Sequence, residues 1–129
     1  MSDSSENKTR VLLIDDESGF TRTVKLALGS TGDYEVEEVN DGTQAAAVAR
    51  KFQPDIIFCD IVMPEVDGGD VASQIKAIPA LGNVPFIFLT AIVAEHEAAK
   101  GTIGGFPFLP KPVSLEKLTA CINEHLGKS

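Results

Sequence analysis

Five polar side chains in this sequence stand where apolar runs end. Asp15 and Asp16 follow the run VLLI, and Asp60 closes the run IIFC. Thr90 ends a further run, FIFL, and Lys111 stands between two prolines in the stretch FLPKP. If these runs are neighbouring parallel strands, their carboxyl ends share one edge of a sheet. Three carboxylates, one hydroxyl and one ammonium would then converge at that edge.

Converging carboxylates limit the chemistry that such an edge can perform. Two unit charges ~4 Å apart repel by about 4 kcal/mol at an effective dielectric constant near 20. Lys111 can neutralise part of this charge, and a divalent cation can neutralise more. A set of oxygen ligands suits Mg²⁺ better than Zn²⁺. A carboxylate beside Mg²⁺ and an ammonium can attack a phosphoryl group, so the pattern indicates Mg²⁺-assisted phosphoryl transfer to an aspartate.

Strand and helix patterns alternate five times along the chain, which is the arrangement that could bring these residues together. The predicted strands are Val11–Asp15, Tyr34–Val39, Asp55–Asp60, Val84–Thr90 and Phe106–Leu109. The predicted helices are Ser18–Leu28, Asp41–Phe52, one through Val71 to Ile78, a weak one over Val93–Lys100, and Leu115–Leu126. Asp41 and Asp67 are predicted to be helix caps.

This alternation predicts an α/β fold, a single doubly wound (βα)₅ domain with a five-stranded parallel sheet and helices on both faces. The first, third and fourth strands are apolar throughout, as strands buried on both faces are. The second strand alternates polar and apolar residues, so we expect it at one edge of the sheet. Pro107 lacks a backbone donor, so we expect the fifth strand at the other edge. The resulting strand order is 2-1-3-4-5.

Bulk properties exclude several classes of function. The chain has 129 residues and a net charge of -8, which argues against nucleic acid or an anionic membrane surface as a partner. Its two cysteines, Cys59 and Cys121, are predicted to be buried, reduced thiols. The sequence shows neither a membrane-length apolar run nor a signal peptide, so we expect a cytoplasmic protein. Residues 1–9 are predicted to be a disordered lead, followed by one domain over residues 10–127.

The sequence resembles the receiver domain of two-component response regulators, including the chemotaxis regulators. The motifs that carry the resemblance are IDDE at 14–17, DIIFCDIVMPEVDGGD at 55–70, FLTA at 88–91 and FLPKP at 108–112. They occur in order and at compatible spacing across about residues 10–126. The resemblance implies the flavodoxin-like fold and a phosphorylation-dependent switch in two-component signal transduction, a phosphoprotein with no enzymatic activity beyond its own phosphorylation and dephosphorylation.

The resemblance also implies a role for each residue at the strand ends. Asp60 would be the phosphoacceptor and Lys111 its cationic partner. Asp16 would bind Mg²⁺ directly, Asp15 would bind it mainly through water, and Asp60 and the backbone carbonyl of Val62 would complete the protein ligands. The phosphoryl group would come from a histidine kinase or a histidine phosphotransfer protein.

Further implications concern the switch and the output surface. Thr90 would move toward the phosphoryl oxygens, and Phe108 would take the aromatic switch position. A cis peptide bond between Lys111 and Pro112 would aim the lysine. A protein target would bind the face formed by the predicted fourth helix, the fifth strand and the fifth helix.

Two features depart from the common family pattern. Val62 and Ile92 are apolar at positions that tune hydrolysis of the phosphoaspartate, so we expect slow autodephosphorylation. The stretch GTIGGFPF replaces the usual G-A-D before the fifth strand, and its glycines and proline change the backbone freedom beside the output face.

Two alternatives stay open at the level of the sequence. The chain could be a receiver-fold interaction module that signals without phosphorylation, as the GTIGGFPF stretch would allow. It could also be a receiver cut from a larger regulator or a hybrid kinase. Met1 argues against an internal cut, whereas a removed C-terminal output domain would leave the same sequence.

Overall fold

The computed structural model describes residues 8–91 and 102–127. Its six strands are β1 (Thr9–Ile14), β2 (Tyr34–Val39), β3 (Ile56–Asp60), β4 (Phe86–Thr90), β5 (Thr102–Ile103) and β6 (Phe106–Pro110). Its α-helices are α1 (Ser18–Gly29), α2 (Ala45–Phe52), α3 (Gly68–Lys76) and α4 (Leu115–Leu126), and two short 3₁₀ turns cover Gly42–Gln44 and Pro79–Leu81. The helix predicted over Val93–Lys100 lies outside the described residues.

The sheet confirms the predicted doubly wound architecture. Its strand order is β2-β1-β3-β4-β6-β5, and the first five strands in that order are mutually parallel. With β6 as the fifth parallel strand, this is the predicted order 2-1-3-4-5. The winding direction switches between β1 and β3, which is where ligands bind in such sheets.

The predicted edge position of the fifth parallel strand is wrong. Thr102 and Ile103 form an additional short strand, β5, outside β6. This strand pairs antiparallel with Pro107 and Phe106 of β6. Gly104 and Gly105 connect the two strands, and both have positive φ, as tight hairpin turns require. Pairs in an antiparallel ladder alternate between bonded and unbonded, so a proline beside the turn need not cost a hydrogen bond to β5.

The N-terminal boundary also differs from the prediction. The predicted disordered lead ended at Thr9, but Thr9 is the first residue of β1 and is buried. Its backbone N–H donates a hydrogen bond to the carbonyl oxygen of Asp33 at 3.0 Å. Strand β1 therefore begins two residues before the predicted start at Val11, and the turn before β2 holds its first residue. Residues 1–7 lie outside the described part of the chain.

Apolar side chains cover the sheet on both faces and fix the strands that carry the polar rim. One cluster packs α2 and α3 against the sheet, and the other packs α1 and α4 against the opposite face. Every residue of β3 and β4 is buried, as the apolar runs predicted. Cys59 and Cys121 are free and buried, as predicted. None of the helices in residues 8–91 and 102–127 has the length and apolar character of a membrane span.

Candidate functional site

The carboxyl ends of neighbouring parallel strands bring the predicted residues to one rim. Asp15 and Asp16 follow β1, Asp60 ends β3, Thr90 ends β4, and Lys111 follows β6. Carboxylate oxygens of the three aspartates all lie within 4.8 Å of one another. The clustering expected from the strand ends is therefore present.

Asp15 is held in place by hydrogen bonds to both of its carboxylate oxygens. Oδ2 accepts from Lys111 Nζ at 2.6 Å, and Oδ1 accepts from the backbone N–H of Glu17 at 2.9 Å. The main-chain carbonyl of Asp15 accepts from Asn40 Nδ2 at 2.8 Å. The residue is only 1% exposed, whereas its neighbour Asp16 is exposed. Asp15 is thus fixed beneath the rim, and Asp16 presents its carboxylate to solvent.

Asp60 combines burial with the charge of its neighbours. It is 8% exposed, and its Oδ1 accepts a long hydrogen bond of 3.4 Å from the backbone N–H of Val62. Burial raises the pKa of Asp60 above the ordinary aspartate value, and the negative charge of Asp15 raises it further, with Lys111 and the Val62 N–H acting in the opposite direction. A cation at the rim would favour the ionised, nucleophilic form.

Lys111 is the cation that the described residues place among these carboxylates. Its Nζ lies 2.6 Å from Asp15 Oδ2, 3.2 Å from Glu17 Oε1 and 3.8 Å from Asp60 Oδ2. Burial alone would lower the pKa of Lys111, but the bonds to Asp15 and Glu17 and the charge of Asp60 outweigh burial and raise the pKa. The ammonium therefore stays charged, bonded to Asp15 and Glu17 and facing Asp60.

The backbone and one ring keep the Lys111 side chain in position. The peptide bond to Pro112 is cis, as the resemblance implied. The backbone N–H of Lys111 donates to the carbonyl oxygen of Thr90 at 2.9 Å, which ties the end of β6 to the end of β4. The ring of Phe20 lies 4.9 Å from Nζ. This distance is within the range of a cation–π contact.

The loop after β3 packs tightly against the backbone of Asp60. Asp67 caps α3 through a hydrogen bond from the Asp70 N–H, as predicted, and Asp41 likewise accepts from the Thr43 N–H. The N–H of Gly68 donates to the Ile61 carbonyl at 2.7 Å. A Cβ at position 68 would lie 2.5 Å from the Asp60 carbonyl oxygen, so only glycine allows this approach.

The residues of the predicted switch lie on the neighbouring strands β4 and β6. Thr90 is 2% exposed and stands opposite Pro110 in the β4–β6 ladder. Phe108 is half-buried, stands opposite Phe88, and packs against the cluster on the α2–α3 face. Val62, the predicted backbone ligand, is 67% exposed beside Asp60. Ile92, its predicted partner in tuning hydrolysis, lies outside the described residues.

Two residues without a predicted role, Glu17 and Asn40, also contact this site. Glu17 pairs with Lys111, and Asn40 donates to Asp15 and, at 2.9 Å, to the hydroxyl of Thr21. Glu17 directly follows the acidic pair, and Asn40 directly follows β2, which ends beside β1. The rule that strand ends share one rim would have pointed to Asn40 as well.

The donor set suits a hard divalent cation. The candidate ligands are carboxylate and carbonyl oxygens, and neither a cysteine thiol nor a histidine belongs to the acidic cluster found among the described residues. Oxygen ligands with room for water are what Mg²⁺ prefers. The cluster therefore has the chemistry of a magnesium site, with Asp16 as its most accessible carboxylate.

Several known sequences that resemble this chain are transcriptional or response regulators. TrcR of Mycobacterium tuberculosis, a transcriptional regulatory protein, is 37% identical over 121 residues, which are 93% of this chain and 46% of TrcR. Protein PilG of Pseudomonas aeruginosa is 36% identical over 118 residues, 91% of this chain and 87% of PilG. The chain spans about half the length of TrcR and of the DNA-binding regulator RpaA from Synechocystis.

Solved structures resemble the chain over nearly its whole length. The chemotaxis protein CheY4 of Vibrio cholerae has a TM-score of 0.80 at 28% identity and covers 91% of this chain and 98% of its own. The receiver domain of the sensor histidine kinase PA1611 from Pseudomonas aeruginosa, solved with magnesium in its active site cleft, has a TM-score of 0.79 at 27% identity, with coverages of 94% and 99%. The family model of the response regulator receiver domain matches residues 11–123. The chain therefore belongs to the receiver domain family of two-component response regulators.

Proposed function

We propose that this chain accepts a phosphoryl group on Asp60 from a phosphohistidine, carried by a histidine kinase or a histidine phosphotransfer protein. The observation that carries the proposal is the position of Asp60 beside both the acidic pair and Lys111. Carboxylate oxygens of the three aspartates lie within 4.8 Å of one another, and Lys111 Nζ lies 3.8 Å from Asp60 Oδ2. A structural ion pair would need only one carboxylate and one ammonium. The surplus of negative charge is what a divalent cation needs, and a bound cation would in turn attract the phosphoryl oxygens.

In the transfer, a carboxylate oxygen of Asp60 forms a bond to phosphorus while the phosphorus–nitrogen bond of the donor breaks. The imidazole nitrogen leaves with the electron pair and takes up a proton from solvent. Lys111 offers its ammonium to the transferred oxygens, and the Val62 N–H lies on the other side of the Asp60 carboxylate. Both are preorganised donors at the place where charge develops.

We propose that Asp15, Asp16, Asp60 and the backbone carbonyl of Val62 hold Mg²⁺. Asp16 would bind directly because it is exposed at the rim, and Asp15 would act through water because both of its oxygens already accept hydrogen bonds. When bound, Mg²⁺ neutralises negative charge on the carboxylates and on the phosphoryl oxygens. The protein residues supply the alignment.

We propose that phosphorylation favours a state in which Thr90 and Phe108 turn toward the site, as a population shift. A protein target would then bind the face formed by the helix predicted over Val93–Lys100, strand β6 and helix α4, which is the predicted fifth helix. Pro107, Leu109, Ala120 and His125 help to line a cavity of ≈ 300 Å³ between β6 and α4, which would suit an inserted side chain. The predicted fourth helix falls in the part of the chain outside the described residues.

The domain would extend over residues 9–127 and act in the cytoplasm. It would be a phosphoacceptor switch without other enzymatic activity, and it would contact neither nucleic acid nor a membrane itself, given its net charge of -8. Because the transcriptional regulatory protein TrcR and the DNA-binding regulator RpaA are about twice its length, it could instead serve as the receiver part of a longer regulator.

One observation favours a second candidate function, a receiver-fold module that binds partners without phosphorylation. The β5–β6 hairpin adds a strand beside the strand that carries Phe108. This hairpin would change the output face in every state of the protein, whether or not Asp60 is modified.

Intact-protein mass spectrometry separates the two functions. The wild type, Asp60→Ala and the control Asp70→Ala, which removes an exposed carboxylate at the start of α3, would be treated with acetyl phosphate and Mg²⁺. We expect the mass of one phosphoryl group to be gained by the wild type and by Asp70→Ala, and the gain to vanish in Asp60→Ala and without Mg²⁺. A folded wild type that gains no mass would support the phosphorylation-independent module.

A further inference from the structure

Glu17 uses its carboxylate in a way that its place in the helix does not explain. It is the N-cap residue of α1, but its side chain makes no capping hydrogen bond. Its Oε1 instead accepts from Lys111 Nζ at 3.2 Å, across 94 residues of sequence. The usual capping residues are short ones such as serine and aspartate. The side chain of glutamate is longer than these, and it reaches Lys111.

The three carboxylates around Lys111 are not equivalent. Nζ is within hydrogen-bonding distance of Asp15 at 2.6 Å and of Glu17 at 3.2 Å, whereas Asp60 at 3.8 Å is beyond that distance. The ammonium is thus bonded on the α1 side of the rim and only faces the candidate acceptor. A phosphoryl group on Asp60 would bring new oxygen acceptors toward the same ammonium.

One of the two short contacts is much easier to break than the other. The Asp15 side chain is 1% exposed, so losing its lysine would leave a charge buried and unpaired, which is costly. The Glu17 side chain is 67% exposed and would be hydrated at once if released. Exposed ion pairs contribute little net free energy, so Glu17 is the partner that Lys111 can exchange.

We propose that Glu17 is a positioning residue that holds Lys111 away from Asp60 in the unmodified protein and competes with the phosphoryl group for its ammonium. The proposal rests on the proposed role of Asp60 as phosphoacceptor. Glu17 would bias the switch toward its resting state, and release of Glu17 from Lys111 would accompany activation. Removing the competing carboxylate would therefore tighten binding of a phosphoryl group or its analogue.

Beryllofluoride, which mimics a phosphoryl group on a carboxylate, is the probe for this competition. Its Kd would be measured by NMR titration of ¹⁵N-labelled protein at saturating Mg²⁺, so that changes in metal affinity do not enter. We expect Glu17→Gln to bind beryllofluoride about two- to fivefold more tightly than the wild type, in line with the small size of one exposed ion pair. Thermal unfolding of each variant would verify that the fold is intact.

Two matched variants separate the direct contact from a general charge effect. Glu17→Asp keeps the charge but shortens the side chain, so we expect it to bind the probe nearly as tightly as Glu17→Gln. Glu65→Gln removes an exposed charge from the loop after β3, and Glu65 is not among the ion-pair partners of Lys111 in the described part of the chain. We expect it to bind like the wild type.

Several results would overturn the inference. A Kd for Glu17→Gln equal to that of the wild type would show that there is no competition. An equal gain in Glu65→Gln, or a wild-type Kd in Glu17→Asp, would show that rim charge alone matters. If the wild type itself did not bind beryllofluoride, the proposed function would fail and this inference with it, whereas binding by the wild type with unchanged Glu17→Gln affinity would overturn the inference alone.

Discussion

Lys111 Nζ lies 2.6 Å from Asp15 Oδ2, and this ion pair is shielded from solvent on both sides. The side chains are 14% and 1% exposed, respectively. Burying one charge without its partner costs several kcal/mol, because the lost hydration is not replaced. The pair therefore links the stability of the fold to the residues of the site, since the same lysine faces Asp60.

The first prediction concerns the coupling of these two residues. We expect Lys111→Met to lower the free energy of unfolding by about 3 kcal/mol, because it leaves the buried Asp15 without its cation. In the double variant with Asp15→Asn, much of that loss should be absent, and the interaction free energy should be about 1–3 kcal/mol. Urea unfolding, followed by circular dichroism, measures the free energy of unfolding of the wild type, the two single variants and the double variant.

Lys117→Met is the matched control, since Lys117 is an exposed lysine on α4. It should change the free energy of unfolding by less than about 0.5 kcal/mol. If the losses from Lys111→Met and Asp15→Asn simply added, the two residues would be energetically independent despite their short distance.

The second prediction concerns the pH dependence of stability at Asp60. Burial and the neighbouring Asp15 raise the pKa of Asp60 in the folded protein, so its ionisation opposes folding. The stabilising contribution of the protonated form is complete below the ordinary aspartate pKa and is lost as pH rises through the raised value. Without Mg²⁺, Asp60→Asn should therefore unfold at a higher temperature at pH 7.5, by about 4 °C for each 1 kcal/mol gained.

The same difference in unfolding temperature should shrink as the pH is lowered, because the wild-type carboxyl then becomes neutral as well. Added Mg²⁺ should stabilise the wild type more than the Asp60→Asn variant. A difference that stayed constant from pH 7.5 to pH 4 would contradict the electrostatic origin of the effect.

The third prediction concerns Gly68, at the start of α3. A Cβ there would lie 2.5 Å from the Asp60 carbonyl oxygen and 2.8 Å from the Ile61 Cα, and both are backbone atoms. Gly68→Ala should therefore displace the loop, lower the free energy of unfolding by about 1–3 kcal/mol, and slow phosphorylation by acetyl phosphate. In Gly69→Ala the new Cβ would approach only a side-chain oxygen of Asp67, at 3.2 Å, so this variant should retain phosphorylation. Equal phosphorylation rates in the two variants would refute the steric argument.

The grouping of the strand ends could be predicted from the sequence, because the burial of the strands and their common direction together determine where their carboxyl ends lie. The apolar runs before Asp15, Asp60 and Thr90 have to be central strands, and parallel strands bring their carboxyl ends to one rim. All the residues of β3 and β4 are indeed buried. The clustering of the carboxylates then follows from the strand order alone, without knowledge of any side-chain conformation.

The contacts that the sequence analysis did not find depend on side-chain reach or on competing local signals. The pair between Glu17 and Lys111 depends on the conformation of two long side chains that are 94 residues apart. At the sheet edge, the missing backbone donor of Pro107 predicted that no further strand would pair with β6. The positive φ of Gly104 and Gly105 nevertheless allows a tight hairpin. The turn geometry prevailed over the proline because the ladder does not need a donor at every position.

The fourth prediction concerns the lifetime of the phosphorylated state. Val62 is 67% exposed, and its N–H lies 3.4 Å from Asp60 Oδ1, so its side chain stands beside the proposed phosphoryl group without any polar atom to orient water. The wild-type phosphoaspartate should therefore persist for minutes or longer. Val62→Asn places an amide there and should speed hydrolysis by about tenfold, which corresponds to about 1.4 kcal/mol in the barrier.

Loss of the phosphoryl mass over time, after removal of acetyl phosphate, measures these rates. Val62→Ala is the control, because it opens the site to water without adding a polar group, and it should hydrolyse at close to the wild-type rate. A fast Val62→Ala would show that the valine slows hydrolysis by excluding water, because access rather than orientation would then limit the reaction. A wild-type lifetime of seconds would contradict both explanations, since a water would then be oriented without help from position 62.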